Sequence, residues 1–353
     1  MNADLYFTPL PLRVFALTIS LLLVLLTACA SENGRSPSPT PLAAATATTT
    51  TTPTNTPTSQ PTNTPTSQPT NQPAPTTQPT TQPTHTATPQ PTAMPTATAV
   101  PPDSLVNGLP LEQFITLPPD TQAHVREIFA RGQALGRSAR AFSKLGDSIV
   151  LTPHFLARFD SQQYDLGVYN NLQPTIAQFA GSFARFGQAA HVGLSARTLF
   201  ETGWADEKLC LEREHVVACE IRLHNPSIFL IRLGTNDLSA NTYEANLRRL
   251  IELLLDAGII PILGTKPDRH EGDDNRNNEI LRQLAAAYKI PLWDFDAVAD
   301  TLPDRGLSGD SIHLTMSAAN DYTQETTLQK GYPVSDLTAL MMLDAVRRVG
   351  DGE

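Results

Sequence analysis

Ile228–Asp237 reads IFLIRLGTND: a run of five apolar residues broken by one arginine, then a glycine and three small polar side chains. A short apolar run bounded by a glycine turn has the length and composition of a buried strand that ends abruptly. A packed core would prefer another valine to Gly-Thr-Asn-Asp, so the turn has a reason to be polar. Outward from this stretch, similar runs occur at Ala141–Leu145, Ala189–Gly193, Ile259–Leu263 and Ile290–Trp293. Between and around them lie segments of helical period. In YEANLRRLIELLLDA, Tyr243–Ala257, the residues Leu247, Leu250, Ile251, Leu254 and Leu255 line one face, with Asn241 or Thr242 as N-cap and Gly258 as C-cap. Asn275–Tyr288 repeats the pattern with Ile280, Leu281, Leu284 and Ala287 inward, and Thr121–Leu135 and Ser335–Val349 complete the set. Strands alternating with amphipathic helices predict an α/β protein: a three-layer α/β/α sandwich around a central, mostly parallel five-stranded sheet.

In such sheets ligands bind beyond the carboxyl ends of the strands, so the polar residues after each apolar run are the candidates. After the first run, within FSKLGDSIV (Phe142–Val150), comes Gly146-Asp147-Ser148. After the second comes Gly193-Leu194-Ser195, after the third Gly234-Thr235-Asn236-Asp237, and near the C-terminus Asp310-Ser311-Ile312-His313. Each block alone has an ordinary structural role, as a turn or a cap. The four together, in this order, resemble the SGNH hydrolases, also called the GDSL family of esterases and lipases.

The resemblance implies a flavodoxin-like SGNH fold and a serine esterase without cofactor or metal. It makes Ser148 the nucleophile, His313 the general base and then acid, and Asp310 the residue that orients the imidazole. The N–H groups of Ser148 and Gly193 and the Asn236 side-chain amide would form the oxyanion hole. Each role suits its residue. A serine hydroxyl needs a base to take its proton, an imidazole titrates near ~6.5, and a carboxylate three residues earlier can fix its tautomer. Gly193 lies in HVGLSART, the least distinctive of the four blocks. No G-x-S-x-G occurs in the chain, which counts against the α/β-hydrolase nucleophile elbow.

The remaining chain bounds the setting. Val14–Leu26 is an uncharged apolar run preceded by Arg13, the length of a signal h-region. Leu26-Thr27-Ala28-Cys29 then resembles a bacterial lipobox, with Cys29 the lipidated residue; an ordinary cleaved signal is the alternative. Residues 1–28 are read as a lipoprotein signal peptide, 29–102 as a stalk and 103–353 as the hydrolase domain. Between Ser36 and Pro102 there is no Lys, Arg, Asp or Glu, and PTNTPTSQ appears twice in succession from Pro53 to Gln68. So much Thr and Pro cannot build a core and stays solvated and extended. An extracytoplasmic enzyme held at a membrane by a lipid anchor is expected, acting on acetylated polysaccharides or short-chain acyl esters. The rival class is a lipid-anchored, non-catalytic glycan-binding module on the same fold.

The 353 residues carry 25 Lys and Arg against 35 Asp and Glu, a formal net charge of −10, which argues against nucleic acid as a partner. With Cys29 set aside, Cys210 and Cys219 remain, either as a disulfide in an oxidising compartment or as two buried thiols. The acidic loop Lys266–Asp274 holds Asp268, His270, Glu271, Asp273 and Asp274; it is read as a solvated loop at the edge of the site, with a metal-dependent phosphoesterase as the lesser alternative. Trp204 is either a packing residue or a platform for a sugar.

Overall fold

Alternate residues of a strand point to opposite faces, so a run such as SIFLIR feeds two cores at once. The computed structural model describes residues 101–352. The signal segment, Cys29 and nearly all of the stalk therefore lie outside the described residues. Chain order begins with a hairpin, β1 (Leu105–Val106) and β2 (Leu109–Pro110), followed by β3 (Ile115–Thr116) and α1 (Pro119–Ala134). Then come β4 (Ser138–Gly146), β5 (Tyr164–Asp165), α2 (Gln173–Gln178), α3 (Val216–His224), β6 (Pro226–Arg232) and α4 (Ala240–Asp256). The rest is β7 (Ile260–Gly264), α5 (Arg276–Tyr288), β8 (Leu292–Trp293), α6 (Phe295–Ala299), β9 (Asn320–Asp321) and α7 (Gly331–Asp351).

The central sheet has five strands in the order β3-β8-β7-β6-β4. β4, β6, β7 and β8 run parallel, and β3 closes the far edge antiparallel to β8. Along β6, Ile228 and Leu230 join a core with Phe142, Ile260, Ile262, α1 and α7. Phe229 and Ile231 join the other core, with Leu145, Leu263, α4 and α5. Helices on both faces make the expected α/β/α sandwich around a mostly parallel sheet. Burying one such Leu or Ile contributes about 1.5–3 kcal/mol relative to exposure, so the alternation fixes the strand register.

Several expectations need correction. Ala189–Gly193 is not a strand. Ala190 makes one bridge to Gly146, through Gly146 N–H to Ala189 O (3.1 Å) and His191 N–H to Gly146 O (3.1 Å). Gly193, at φ 79°, then turns the chain away, and the fifth strand is β3 instead. Asn241 and Thr242 lie inside α4, whose N-cap is Ser239. In α5 the inward alanine is Ala285, and Ala287 is exposed.

The helix α3 buries Val216, Val217, Cys219 and the carboxylate-bearing Glu220 on one face. Cys210 and Cys219 are bonded, with Cα atoms 5.3 Å apart, and tie the loop before α3 to the helix. Closing so short a loop contributes somewhat under about 3 kcal/mol in the chain-entropy account. Among the described residues no helix is long and apolar enough to cross a membrane.

Candidate active site

Gly146 ends β4 where a side chain has no room: a Cβ there would collide with the Arg232 carbonyl and the Val150 side chain. The close approach lets β4 turn sharply, with Val150 N–H and Leu151 N–H both donating to Asp147 O at 3.0 and 2.8 Å. That turn puts Asp147 inward, 2% exposed, and leaves Ser148 partly open to solvent.

His313 arrives from the other end of the chain. Its loop is pinned by the Leu307–Leu314 bridge and by Ser308 N–H donating to His313 O at 2.7 Å. Downstream, β9 pairs with β5, and Asn320 accepts from Arg158 (2.8 Å) and donates to buried Asp336 (2.9 Å). A segment without helix is thereby held in place. Ser148 Oγ lies 2.9 Å from His313 Nε2, and His313 Nδ1 lies 2.7 Å from Asp310 Oδ2. The carboxylate partner assigns the proton to Nδ1, which leaves Nε2 as acceptor for the serine hydroxyl.

Asp310 is half exposed, yet its pKa lies well below the usual carboxylate range. The His313 side-chain hydrogen bond is the largest cause, followed by the N–H groups of Ile312 (3.0 Å) and His313 (2.9 Å) and the Ser308 hydroxyl (2.8 Å). These bonds favour the charged form and fix its plane. Asp310 thus makes a local turn with the N–H groups after it, not the cap of a helix.

The remaining two blocks converge on the same edge. Asn236 is exposed, and its Nδ2 donates to Leu194 O at 3.1 Å, one residue beyond Gly193. Both carboxylate oxygens of Asp237 accept the Ala196 N–H, at 3.0 and 3.1 Å, so the glycine block and the GTND turn are bolted together. Burial pushes the Asp237 pKa up, opposed by these backbone donors. At Gly193 the positive φ, not crowding, selects glycine; the Trp204 ring edge would lie 4.0 Å from a Cβ there. Trp204 is half-buried and meets the His191 ring edge-on at 5.9 Å, so it packs beside the site with part of its surface open.

The loop after β7 is not the solvated loop expected. Lys266 and Asp268 are buried, and the Lys266 ammonium donates to Asp268 Oδ1 at 2.8 Å and to Glu271. Asp268 Oδ2 accepts the Thr235 hydroxyl at 3.0 Å, and Asn277 donates to the carbonyls of Gly234 (2.9 Å) and Asp237 (2.8 Å). The loop therefore braces the GTND turn from behind, while Asp274 pairs with Arg276 and His270 and Asp273 face solvent. The one group of described residues with metal-ligand spacing, Cys210, Glu214 and Cys219, contains the disulfide.

Sequence reasoning passed over Asp147, Asp237 and Arg232. The first two sit inside quoted blocks, and an arginine in an apolar strand is itself a signal. Four chain-distant blocks meet at the carboxyl ends of β4 and β6, in a geometry suited to acyl transfer. Residues 145–319 match the GDSL-like lipase/acylhydrolase family. This GDSL-like segment holds all the residues discussed above from Gly146 to His313. No curated protein matches the chain.

Among solved structures, a GDSL-like lipase from Bacteroides thetaiotaomicron VPI-5482 is similar at 16% identity. It covers 64% of this chain and 98% of that one, with a TM-score of 0.35. A catalytic mutant of an acetylxylan esterase from Geobacillus stearothermophilus has 16% identity over 61% and 95% of the two chains, with a TM-score of 0.36. A two-domain esterase active on acetylated mannans, crystallised with mannopentaose, has 14% identity over 64% and 53%, also at 0.36.

Proposed function

We propose that this chain is a serine esterase that hydrolyses carboxylic esters through an acyl-enzyme. The Ser148–His313–Asp310 relay carries the reading, with contacts of 2.9 and 2.7 Å between groups of the right chemistry. The family match over 145–319 supports it. Ser148 Oγ attacks the ester carbonyl as His313 Nε2 takes its proton, and Asp310 stabilises the imidazolium. Negative charge gathers on the carbonyl oxygen, to which the N–H groups of Ser148 and Gly193 and the Asn236 amide donate. Collapse breaks the C–O bond, and His313 returns the proton to the leaving alcohol. Water then attacks the acyl-serine by the same route and releases the acid.

The half-exposed His313 and Asp310 and the exposed Gly193 and Asn236 make an open rim. Such a rim suits an ester carried on a larger molecule, and O-acetyl groups of extracellular polysaccharide or short-chain acyl esters are the proposed substrates. Labelling of wild-type protein by a fluorophosphonate, with turnover of p-nitrophenyl acetate, tests the reading. Protein that binds glycan but is never labelled is a binding module and not an esterase.

Asn236→Ala removes one neutral donor from an exposed position. The expected result is a fall in kcat of about 10²–10³-fold with KM nearly unchanged, because the oxyanion uses the donor more than the ground-state carbonyl does. Full kcat in this variant removes Asn236 from the oxyanion hole.

The proposed location is the outer side of a bacterial cell membrane, through acyl chains on Cys29. Each buried CH₂ contributes about 0.8 kcal/mol, so two or more chains hold stably. Cys29→Ser is expected to move the protein from the membrane fraction to the soluble fraction. Equal membrane retention in the variant points instead to an uncleaved apolar anchor.

A further inference from the structure

Asp147 stands beside the nucleophile but has no part in the relay. Its carboxylate is buried, Oδ1 accepts the Ile149 N–H at 3.0 Å, and Oδ2 lies 3.5 Å from Asn236 Nδ2. The Asn236 amide thus has two acceptors on its inner side, Leu194 O at 3.1 Å and the Asp147 carboxylate. An amide turned the other way would press its carbonyl oxygen against both. Leu194 O takes one N–H. The carboxylate contact is longer than an ordinary N–H···O bond of about 2.7–3.2 Å, as for one N–H shared between Leu194 O and the carboxylate, and on that sharing the second N–H stays available.

Behind Asp147 lies Arg232, wholly buried at the end of β6. Its Nη1 donates to Ser335 Oγ at 2.8 Å, while Nε and Nη2 have no hydrogen-bond partner among the described residues. The guanidinium stacks 4.7 Å from the Phe295 ring centroid and 5.3 Å from that of Trp293. A buried cation so poorly neutralised favours an anion nearby, and Asp147 is one of the carboxylates attracted to it.

We propose that Asp147 is a positioning residue for the ester chemistry: its ionised carboxylate holds the Asn236 amide nitrogen-inward, so that the second N–H faces the oxyanion formed at Ser148. The proposal rests on the esterase reading and adds to it the group that orients the oxyanion hole. With the amide reversed, a carbonyl oxygen would meet the developing negative charge, and that loss falls on kcat rather than on KM.

Charge on Asp147 varies near neutrality. Burial pushes its pKa up to about 6, and Asp268 pushes the same way; the Ile149 N–H, Arg232 and His313 oppose them. The hydroxyls of Tyr243 on α4 and Tyr332 on α7 also lie within its field. Above that pH the carboxylate is charged and the amide is held; below it the carboxyl is neutral and the hold weakens.

The test is a double-mutant cycle on the full chain, with kcat for p-nitrophenyl acetate measured for wild type, Asp147→Asn, Asn236→Ala and the double variant. At about pH 8, Asp147→Asn is expected to lower kcat roughly tenfold in the wild-type background and less than about twofold when Asn236 is already alanine. A second measurement needs no change at Asp147. The ratio of wild-type to Asn236→Ala kcat cancels pH effects common to the two proteins, and it is expected to fall severalfold between about pH 8 and about pH 5, with its midpoint near 6. Equal losses in both backgrounds, no loss from Asp147→Asn, or a ratio flat across that range overturns the proposal. If Asp147→Asn does not fold, the ratio alone decides. Failure of the esterase reading is separate: it appears as wild-type protein that a fluorophosphonate never labels.

Discussion

Ser148→Ala is expected to lower kcat on p-nitrophenyl acetate by on the order of 10⁴–10⁶-fold, to abolish fluorophosphonate labelling and to leave the fold intact. In the proposed mechanism this hydroxyl forms the covalent intermediate, and its side-chain partner is His313. The turn around it is held by other atoms: Asp147 O accepts from Val150 and Leu151, and Asp147 Oδ1 accepts from Ile149. Loss of one half-exposed hydroxyl is therefore expected to change stability by no more than about 0.5 kcal/mol. Residual turnover comes from the oxyanion donors acting on a water-borne attack. A variant that keeps more than about a tenth of wild-type kcat would refute covalent catalysis at Ser148.

The second large effect is on stability and lies behind the glycine block. Glu220 on α3 is wholly buried. Its carboxylate pairs with Arg185, accepts the Ser143 hydroxyl at 2.5 Å on β4, and accepts the Gln188 N–H at 2.7 Å. Glu220→Ala orphans a hydroxyl, a backbone N–H and a guanidinium together. Breaking a buried pair from one side costs about 3–5 kcal/mol, and because Arg185 is a quarter exposed the expected loss is at the lower end of that range. Urea unfolding checks it, with Glu220→Gln expected to lose less because it can still accept from Ser143 or Gln188. A loss under about 1 kcal/mol in Glu220→Ala means that water reaches the vacated groups and the ion pair is not an anchor.

Part of this was legible in the chain because the governing interactions are local. The apolar period of Tyr243–Ala257 is a property of consecutive residues, and Leu247, Leu250, Ile251 and Leu254 are all buried as that period requires. The polar residues after the first and third runs stand at strand ends because Gly146 and Gly234 stop those strands. The proximity of Asp310 and His313 is likewise local, three residues apart on one turn. By itself, the sequence determined the alternation of strand and helix, the four motif blocks and the residue types available for acyl transfer.

The tertiary structure decided what depends on distant partners. β3 is two residues long, too short to announce itself, and exists because Trp293 and Leu292 offer it an open backbone edge. Ala189–Gly193 has strand-like residues but only one bridging partner, so composition misplaced the fifth strand. Asp268 and Glu271 looked like a solvated cluster until Lys266, buried with them, supplied the opposing charge. Asp147 differs in the same way from the many surface Asp residues: nothing in its neighbours along the chain shows that it is buried, whereas the apolar neighbours of Arg232 hint at burial without naming what surrounds the guanidinium. Charge burial is settled by which elements pack together, over separations such as the 165 residues between Ser148 and His313, and no local pattern encodes that.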